Sequence, residues 1–272
     1  MKPTRSLPGL AVGRDGARRV TRTLPEEVPV AVSFNGTTLA VMMCTPADIG
    51  DFAHGFALTE GTIERLDEIE SFEVLSQPKG IEARFWLAEA RAEALEARRR
   101  HMIGPVGCGL CGIDSLEQAL RDLPRVPDTA LAPLTYSEIA AATEALKGLQ
   151  PLHDQTRAVH AAGFLRPGKG VVLAREDVGR HNALDKLIGA LALAGEDAAS
   201  GAFVLTSRVS VEMVQKAAMA GCPVIVAASA PTAHALRLAE GAGITLAAFA
   251  RAGAFELYSH PERIETGGAH VA

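Results

Sequence analysis

Short apolar runs alternate with helical segments through the second half of the chain, and this alternation constrains the fold more than any other feature. The apolar runs cover residues 171–174, 202–206, 224–228 and 244–250. The helical segments cover residues 183–193, 211–220 and 233–239. Alternation at this spacing is typical of a parallel or mixed sheet covered by helices. We therefore predict an α/β fold for this half.

The first half predicts two hairpins and one helix, that is, a smaller α+β unit. The hairpins pair residues 28–34 with 37–44 and residues 71–76 with 81–87. Asn35-Gly36 supplies the positive φ angles of a two-residue type I′ turn in the first hairpin. Thr45 is the expected N-cap of the helix, and Gly61 is its expected stop.

The 272 residues divide into three predicted parts. Residues 1–24 are expected to form a flexible basic arm, because six Lys or Arg face Asp15 alone and several Gly and Pro interrupt the segment. Residues 25–127 are predicted to form the N-terminal α+β domain, which ends in the cysteine-containing loop at residues 107–112 and the helix that follows it. Residues 128–272 form the C-terminal domain.

Composition narrows the class of protein. A net charge of -5 and an aromatic content of 4% disfavour a nucleic-acid binder. No apolar stretch approaches the ~18 residues of a membrane span, and no signal peptide is apparent. Four cysteines with one close pair do not form a disulfide framework, which indicates a reducing compartment. We predict a soluble, cytoplasmic protein that binds neither membrane nor nucleic acid.

The segment Gly107-Cys108-Gly109-Leu110-Cys111-Gly112 places two thiols in a glycine-rich loop. It also matches the dinucleotide-binding pattern G-x-G-x-x-G, but a poor strand precedes it and no acidic ribose partner follows. A helix is predicted to begin at Asp114, and its N-terminal amides and dipole would favour a nearby thiolate. Thiol chemistry is therefore the favoured interpretation.

Metal binding and thioredoxin-like redox exchange are the alternatives for this C-x-x-C pair. A structural zinc site needs further ligands, and neither a second C-x-x-C nor an H-x-x-x-H follows. The zinc-deaminase pattern is also excluded, because His260-Pro261-Glu262 lies downstream of the cysteines rather than upstream. A thioredoxin-like pair requires a strand-to-helix junction, which the preceding Gly and Pro disfavour. We predict no metal site.

Polar residues follow each predicted strand of the second half. They lie in the turns at residues 175–182, 207–210, 229–232 and 249–254. Arginines, hydroxyl groups and helix N-termini at one sheet edge suit phosphate or pyrophosphate, which indicates an anionic, nucleotide-like ligand. The alternative for any single residue is a helix cap or a surface ion pair. His160 alone is more typical of a buried core histidine.

Together these motifs resemble the formate dehydrogenase accessory sulfurtransferases, the FdhD family. The two most specific motifs are the glycine-flanked cysteine pair and the run Arg-Glu-Asp-Val-Gly-Arg-His-Asn-Ala-Leu-Asp-Lys from Arg175 to Lys186. Shorter matches lie at residues 26–29, 35–36, 55–56, 60–61, 208–212, 229–232 and 249–251. The resemblance therefore extends along nearly the whole chain.

The resemblance implies a fold, a reaction and partners. It implies a homodimer whose C-terminal domain is cytidine-deaminase-like, a mixed sheet covered by helices, without the zinc chemistry. It further implies a sulfurtransferase that takes persulfide sulfur from a cysteine desulfurase. The sulfur is delivered to the bis-molybdopterin guanine dinucleotide form of the molybdenum cofactor, which is bound as substrate before its insertion into formate dehydrogenase.

The resemblance also implies roles for particular residues. Cys108 is the expected persulfide carrier, and Cys111 is a relay or resolving thiol. The segment expected to hold the cofactor comprises Phe249, Ala250, Arg251, Ala252, Gly253 and Ala254. Weaker candidates from the other turns are Arg175, His181, Arg208 and Thr232.

Two departures from the family pattern, and one alternative function, accompany this prediction. Arg157-Ala158 stands where the family usually has two glycines, and Ser207 stands in place of another glycine. Each exchange removes backbone freedom near the expected ligand edge. The alternative function is a chaperone that binds and delivers the finished cofactor without transferring sulfur. The cysteine pair favours the sulfurtransferase, because a pure carrier needs no mobile thiol.

Overall fold

The computed structural model describes residues 1–92, 95, 122–127 and 133–266. Its strands are β1 (Thr4–Gly13), β2 (Gly16–Pro25), β3 (Val28–Phe34), β4 (Thr37–Cys44), β5 (Ile69–Gln77), β6 (Gly80–Leu87), β7 (Leu134–Thr135), β8 (His160–Arg166), β9 (Gly170–Asp177), β10 (Ala202–Leu205), β11 (Val224–Ala227), β12 (Thr245–Arg251), β13 (Ala254–Ser259) and β14 (Ile264–Glu265). Its described α-helices are α1 (Ile49–Thr59), α2 (Tyr136–Lys147), α3 (Pro151–Thr156), α4 (Arg180–Leu193), α5 (Val211–Met219) and α6 (Ala233–Ala242). The mixed α/β class is as predicted.

The basic N-terminal segment forms an antiparallel hairpin of β1 and β2, where sequence analysis expected an arm without regular structure. The pairing runs from Thr4↔Pro25 to Gly13↔Gly16, and Gly16 has a φ of 111° at the turn. Pro8 has no backbone N–H to donate. It is compatible with β1 because each strand of a two-stranded sheet contains positions whose N–H group forms no hydrogen bond with the partner strand. Most side chains of the hairpin are exposed, and β2 packs against α3.

A four-stranded sheet of order β4-β3-β6-β5 forms the first compact unit, with α1 on one face. Both predicted hairpins are present, and Asn35 and Gly36 have the positive φ angles that the turn requires. Alternate strand residues face α1, where Phe52 and Phe85 are fully buried. Burying one such side chain contributes about 1.5–3 kcal/mol.

A six-stranded mixed sheet of order β13-β12-β11-β10-β8-β9 forms the second unit. A parallel or mixed sheet was predicted here, but β8 and β13 were not among the predicted strands. Strands β10, β11 and β12 are parallel, and the other three are antiparallel to their neighbours. Apolar residues of α4, α5 and α6 cover one face, and α2 covers the other. Helices on both faces explain why β10 and β11 are apolar at every position. The likeness to cytidine deaminases stays a prediction.

Helix α4 is buried on nearly all sides, because α1 of the first unit covers its outer surface. The two helices cross at Gly55 and Gly189. A Cβ atom on Gly55 would lie 1.8 Å from Asp185 O, and one on Gly189 would lie 1.9 Å from Asp51 O. Only glycine permits this approach of two backbones. The crossing therefore fixes the first unit against the start of α4.

Candidate functional site

The polar turns of the second half meet at one edge of the six-stranded sheet. The start of β8 pairs with the end of β9 at this edge. The turns after β10 and β11 are joined where Val209 N donates to Ala230 O at 3.1 Å. Phe249 N donates to Ser229 O at 3.3 Å, which brings in the end of β12. We call this surface the turn edge, comprising residues 178–182, 207–210, 229–232 and 249–254.

Arg175 is predicted to contact the ligand, but the structure places its side chain against α1. Its Nε donates to Asp51 Oδ2 at 2.6 Å and lies 3.9 Å from Asp48 Oδ2. Its Nη1 donates to the adjacent Ala174 O at 2.9 Å. The guanidinium group thus links β9 to the first unit, and few of its donors remain for a ligand.

The centre of the Arg175–Lys186 run forms a fully buried ion pair. Lys186 Nζ lies 2.7 Å from Asp177 Oδ2 and donates to Thr45 O at 3.1 Å. Asp177 Oδ2 accepts from Thr45 N at 2.9 Å. Its Oδ1 accepts from Gly179 N at 2.8 Å and from Asn182 Nδ2 at 3.0 Å. Buried charges require such additional hydrogen bonds. These residues therefore hold the two units together.

The contact with Asp177 also explains why the predicted N-cap of α1 is wrong. Helix α1 begins at Ile49, and its N-cap is Asp48, which has a left-handed φ of 52° and no side-chain capping bond. Thr45 Oγ1 instead accepts from Val178 N at 3.1 Å. The tertiary contact with the start of α4 takes the hydroxyl that local capping would have used.

A second buried cluster joins α1, α4 and α5. Lys216 Nζ lies 2.9 Å from Asp185 Oδ1 and 3.0 Å from Glu60 Oε1, and it donates to Thr59 Oγ1 at 3.0 Å. Burial raises the pKa of Asp185 to about 6, against the opposing charge of Lys216. Sequence reasoning missed Lys216 as a partner. Its partners Thr59 and Asp185 lie on two other helices, so no spacing within its own helix signalled the cluster.

His181 and Glu212 face each other at the starts of α4 and α5. The distance between His181 Nε2 and Glu212 Oε2 is 3.8 Å, too long for a hydrogen bond. Burial, and then the charge of Arg180, lower the pKa of His181 to about 4, so its imidazole is neutral at physiological pH. Arg180 Nε and His181 Nε2 are buried without a hydrogen-bond partner among the described residues. Both atoms therefore have hydrogen-bonding capacity that no described residue uses.

The remaining candidates, Arg208, Thr232 and Arg251, lie at the turn edge and differ in whether their polar groups already have a bonding partner. Thr232 Oγ1 caps α6 by accepting from Ala235 N at 3.1 Å, so its hydroxyl already has a structural role. Arg208 and Arg251 are exposed, and neither guanidinium group makes a hydrogen bond or ion pair within the described part of the chain. An unpaired guanidinium fork matches the oxygens of a phosphate. These two arginines are the cations best placed to receive an anion.

The two departures from the family pattern have visible consequences. Arg157 ends α3 with a φ of 59°, a left-handed conformation that favours glycine. Ser207 is buried, and its Oγ donates to Arg208 O at 2.9 Å. Arg157 therefore adds backbone strain. The hydrogen bond of Ser207 fixes the start of the turn that carries Arg208.

Cys108 and Cys111 lie outside the described residues, and their predicted roles stay predictions. The two described cysteines are both buried. Burial raises the pKa of the Cys222 thiol to about 12, and burial together with the charge of Asp177 raises that of Cys44. Neither is a reactive thiolate, because nucleophilic sulfur requires a lowered pKa and access.

Two negative findings apply to the described part of the chain. Within it, no three side chains of His, Cys, Asp or Glu are grouped so that they could hold a metal ion. Likewise, none of the helices described there is both long and apolar enough to cross a membrane.

Comparison with known proteins gives consistent matches. The model of the FdhD/NarQ family matches residues 25–265. The chain is 54% identical over 243 residues, 89% of each chain, to a protein named sulfur carrier protein FdhD from Agrobacterium fabrum. It is 52% identical over 263 residues, 97% of each chain, to the protein of that name from Brucella abortus. A crystal structure from Desulfotalea psychrophila, described as a formate dehydrogenase accessory protein, matches with a TM-score of 0.75 and 25% identity, over 96% of this chain and 99% of that one.

Proposed function

Because the chain belongs to the FdhD/NarQ family, we propose that it is a sulfur carrier that serves the maturation of formate dehydrogenase. The observation that carries the proposal is the likeness, along nearly the whole chain, to proteins named as sulfur carriers. The description of the similar crystal structure supports the link to formate dehydrogenase. In this proposal the protein is a cytoplasmic homodimer with a cysteine desulfurase as its sulfur donor.

The transfer begins at Cys108 and is completed by Cys111. The Cys108 thiolate attacks the terminal sulfur of the donor persulfide, so that a new S–S bond forms, the donor S–S bond breaks and the donor thiolate leaves. Cys111 then attacks Cys108 Sγ, which forms a disulfide between them and releases the terminal sulfur as hydrosulfide for the cofactor. The released sulfur gains the two electrons that the two thiols lose. A dithiol reductant restores the pair.

The assignment to these two cysteines is supported by the state of the others. Cys44 and Cys222 are buried thiols with raised pKa values, so neither can supply a thiolate to a partner protein at neutral pH. The chain has four cysteines in all. Sulfur transfer therefore requires Cys108, Cys111 or both.

The turn edge is the proposed binding surface for the substrate, the bis-molybdopterin guanine dinucleotide cofactor. Its pyrophosphate groups suit the unpaired guanidinium groups of Arg208 and Arg251. His181 offers a buried polar atom without a partner among the described residues. Residues 249–254 complete the surface. Arg175 and Thr232 contribute less, since Asp51 and the start of α6 already use their polar groups.

Mass spectrometry of the protein after incubation with a cysteine desulfurase and cysteine tests the proposal. We expect one added sulfur atom on the peptide that contains Cys108, and its loss in Cys108→Ala. A Cys222→Ala variant is the matched control, because that thiol is buried, and it should still gain the sulfur. An unmodified peptide, with cofactor binding intact, would instead favour a chaperone that delivers the cofactor without passing sulfur.

A further inference from the structure

Two non-glycine residues, one near the end of β12 and one in the turn between β12 and β13, have left-handed backbone conformations. Phe249 has a φ of 51° and Ala252 a φ of 52°. The register of the two strands shifts between Ala248 and Arg251, which places Phe249 in a β-bulge. Glycine takes such angles at little cost, whereas a bulky aromatic residue rarely does. Strain of this kind persists only where the surrounding structure enforces it, and it is concentrated at functional sites.

Two side chains of α2 provide much of that enforcement. Thr143 Oγ1 donates to Ala250 O at 2.6 Å, and the bond is buried. Tyr136 OH donates to Gly253 O at 2.6 Å, and its ring centroid lies 5.4 Å from that of Phe255. The carbonyls on either side of Arg251 and Ala252 are therefore fixed toward α2. Neither side chain belongs to a motif that sequence analysis singled out.

We propose that Thr143 and Tyr136 are positioning residues, which hold residues 249–254 in the conformation that binds the guanine nucleotide arm of the cofactor. This inference rests on the proposed function, because it concerns the same binding surface. The two bonds fix the backbone on both sides of Arg251 before any ligand arrives. Binding then loses less conformational freedom, and a preorganised loop binds more tightly than one that must order itself.

Isothermal titration with guanosine diphosphate, a fragment of that arm, tests the inference. Thr143→Val removes the hydroxyl but keeps the shape of the side chain, and we expect its Kd to rise at least about tenfold. Thr143→Ser restores the hydroxyl and should bind within about threefold of the wild type. Tyr136→Phe is expected to raise the Kd by about threefold, because its bond is more exposed.

Thr245→Val is the matched control. Thr245 lies in β12, the strand that leads into residues 249–254, and it is fully buried. Its Oγ1 donates to His260 O at 2.7 Å, away from the turn between β12 and β13. It should lose thermal stability much as Thr143→Val does, yet keep the wild-type Kd. If both valine variants bind as the wild type does, the inference is wrong and the proposed function stands. If the wild type itself does not bind guanosine diphosphate, the nucleotide site and this inference both fail.

Discussion

The contact between α1 and α4 and the turn edge both contain many charged residues, but the charges have different environments. At the helix contact, Lys186 and Lys216 are buried, and each is paired with a carboxylate. At the turn edge, Arg208 and Arg251 are exposed and make no ion pair within the described residues. Charges of the first kind determine the architecture, whereas charges of the second kind remain available to a ligand.

The comparison is informative because one sequence motif contains both kinds of residue. In the run from Arg175 to Lys186, Asp177 and Lys186 bond inward, and Arg175 bonds to α1. Only Arg180 and His181 retain buried polar atoms without partners in the described structure. A motif that is diagnostic of a family is therefore not, residue by residue, a list of ligand contacts.

The largest expected effect on stability comes from breaking the buried ion pair of Lys186 and Asp177. Lys186→Met leaves Asp177 buried without its partner, and we expect a loss of about 3–5 kcal/mol in the free energy of unfolding. Urea titration followed by circular dichroism measures it. Lys169→Met, at an exposed turn, is the control and should change stability by less than about 0.5 kcal/mol. Equal losses in the two variants would remove the distinction between buried and exposed cations.

The helix crossing gives the next largest effect. Gly55→Ala would put a Cβ atom 1.8 Å from Asp185 O, so α1 must move, and we expect a loss of about 1–3 kcal/mol or more in unfolding free energy. Gly241→Ala in α6 is the matched control, because a Cβ atom there would meet no neighbouring atom within 4 Å outside its own helix. It should stabilise the protein by about 0.5–1 kcal/mol. A neutral Gly55→Ala variant would show that the two units can separate without cost.

His181 links the two regions and should make stability depend on pH. Its pKa is about 4 in the folded protein against an ordinary value of 6.5. As pH falls from about 6.5 to about 4, the unfolded chain binds a proton that the folded protein does not, so folding stability is lost over that window. At about 1.4 kcal/mol per pKa unit, the loss should be about 3 kcal/mol. His181→Gln should lack this component.

Urea titrations of both proteins between pH 7 and pH 4 measure the difference. Arg180, Glu212, Lys216 and Glu60 are the charged groups near His181, and all of them remain in the variant. The difference between the two curves therefore isolates the imidazole. Parallel curves across the window would show that His181 is not held in its neutral form.

The smallest effect on stability should come from the turn edge. Arg208→Gln and Arg251→Gln should each change the free energy of unfolding by less than about 0.5 kcal/mol, because both side chains are exposed. Each should raise the Kd for guanosine diphosphate about tenfold, the loss expected for one charge-assisted hydrogen bond. Calorimetry checks both quantities. If a variant loses stability but keeps its affinity for guanosine diphosphate, that arginine has a structural role and does not contact the ligand.

Sequence patterns predicted several local features of the fold correctly. Asn35-Gly36 specified its hairpin through backbone angles that few other residues adopt, and the apolar runs of the second half specified strands buried on both faces. The meeting of the polar turns at one edge of the six-stranded sheet followed from the same alternation of strands and helices. These features depend on residues close in the chain, which is why one sequence was sufficient.

Contacts distant in the chain were not accessible in this way. Thr45 has the pattern of a helix cap, but it bonds to residues more than 130 positions away. Arg175 was expected at a ligand and is bound to Asp51, which is 124 positions away. The basic arm forms a hairpin, although its Gly, Pro and charge favoured an irregular segment. In each case a tertiary or cross-strand partner decided between local alternatives of similar energy.

The sequence alone determined the class of fold, the two hairpins of the first sheet, the alternation of strands and helices in the second half and the resemblance to a family, because periodicity, turn residues and motifs are local properties of a chain. The tertiary structure decided which charged side chains are buried and which are exposed. The approach of α1 to α4 at two glycines buries these lysines, and each of them is paired with a carboxylate. The cost of removing a charge from water is offset only by such a partner, and its position exists only once the chain has folded.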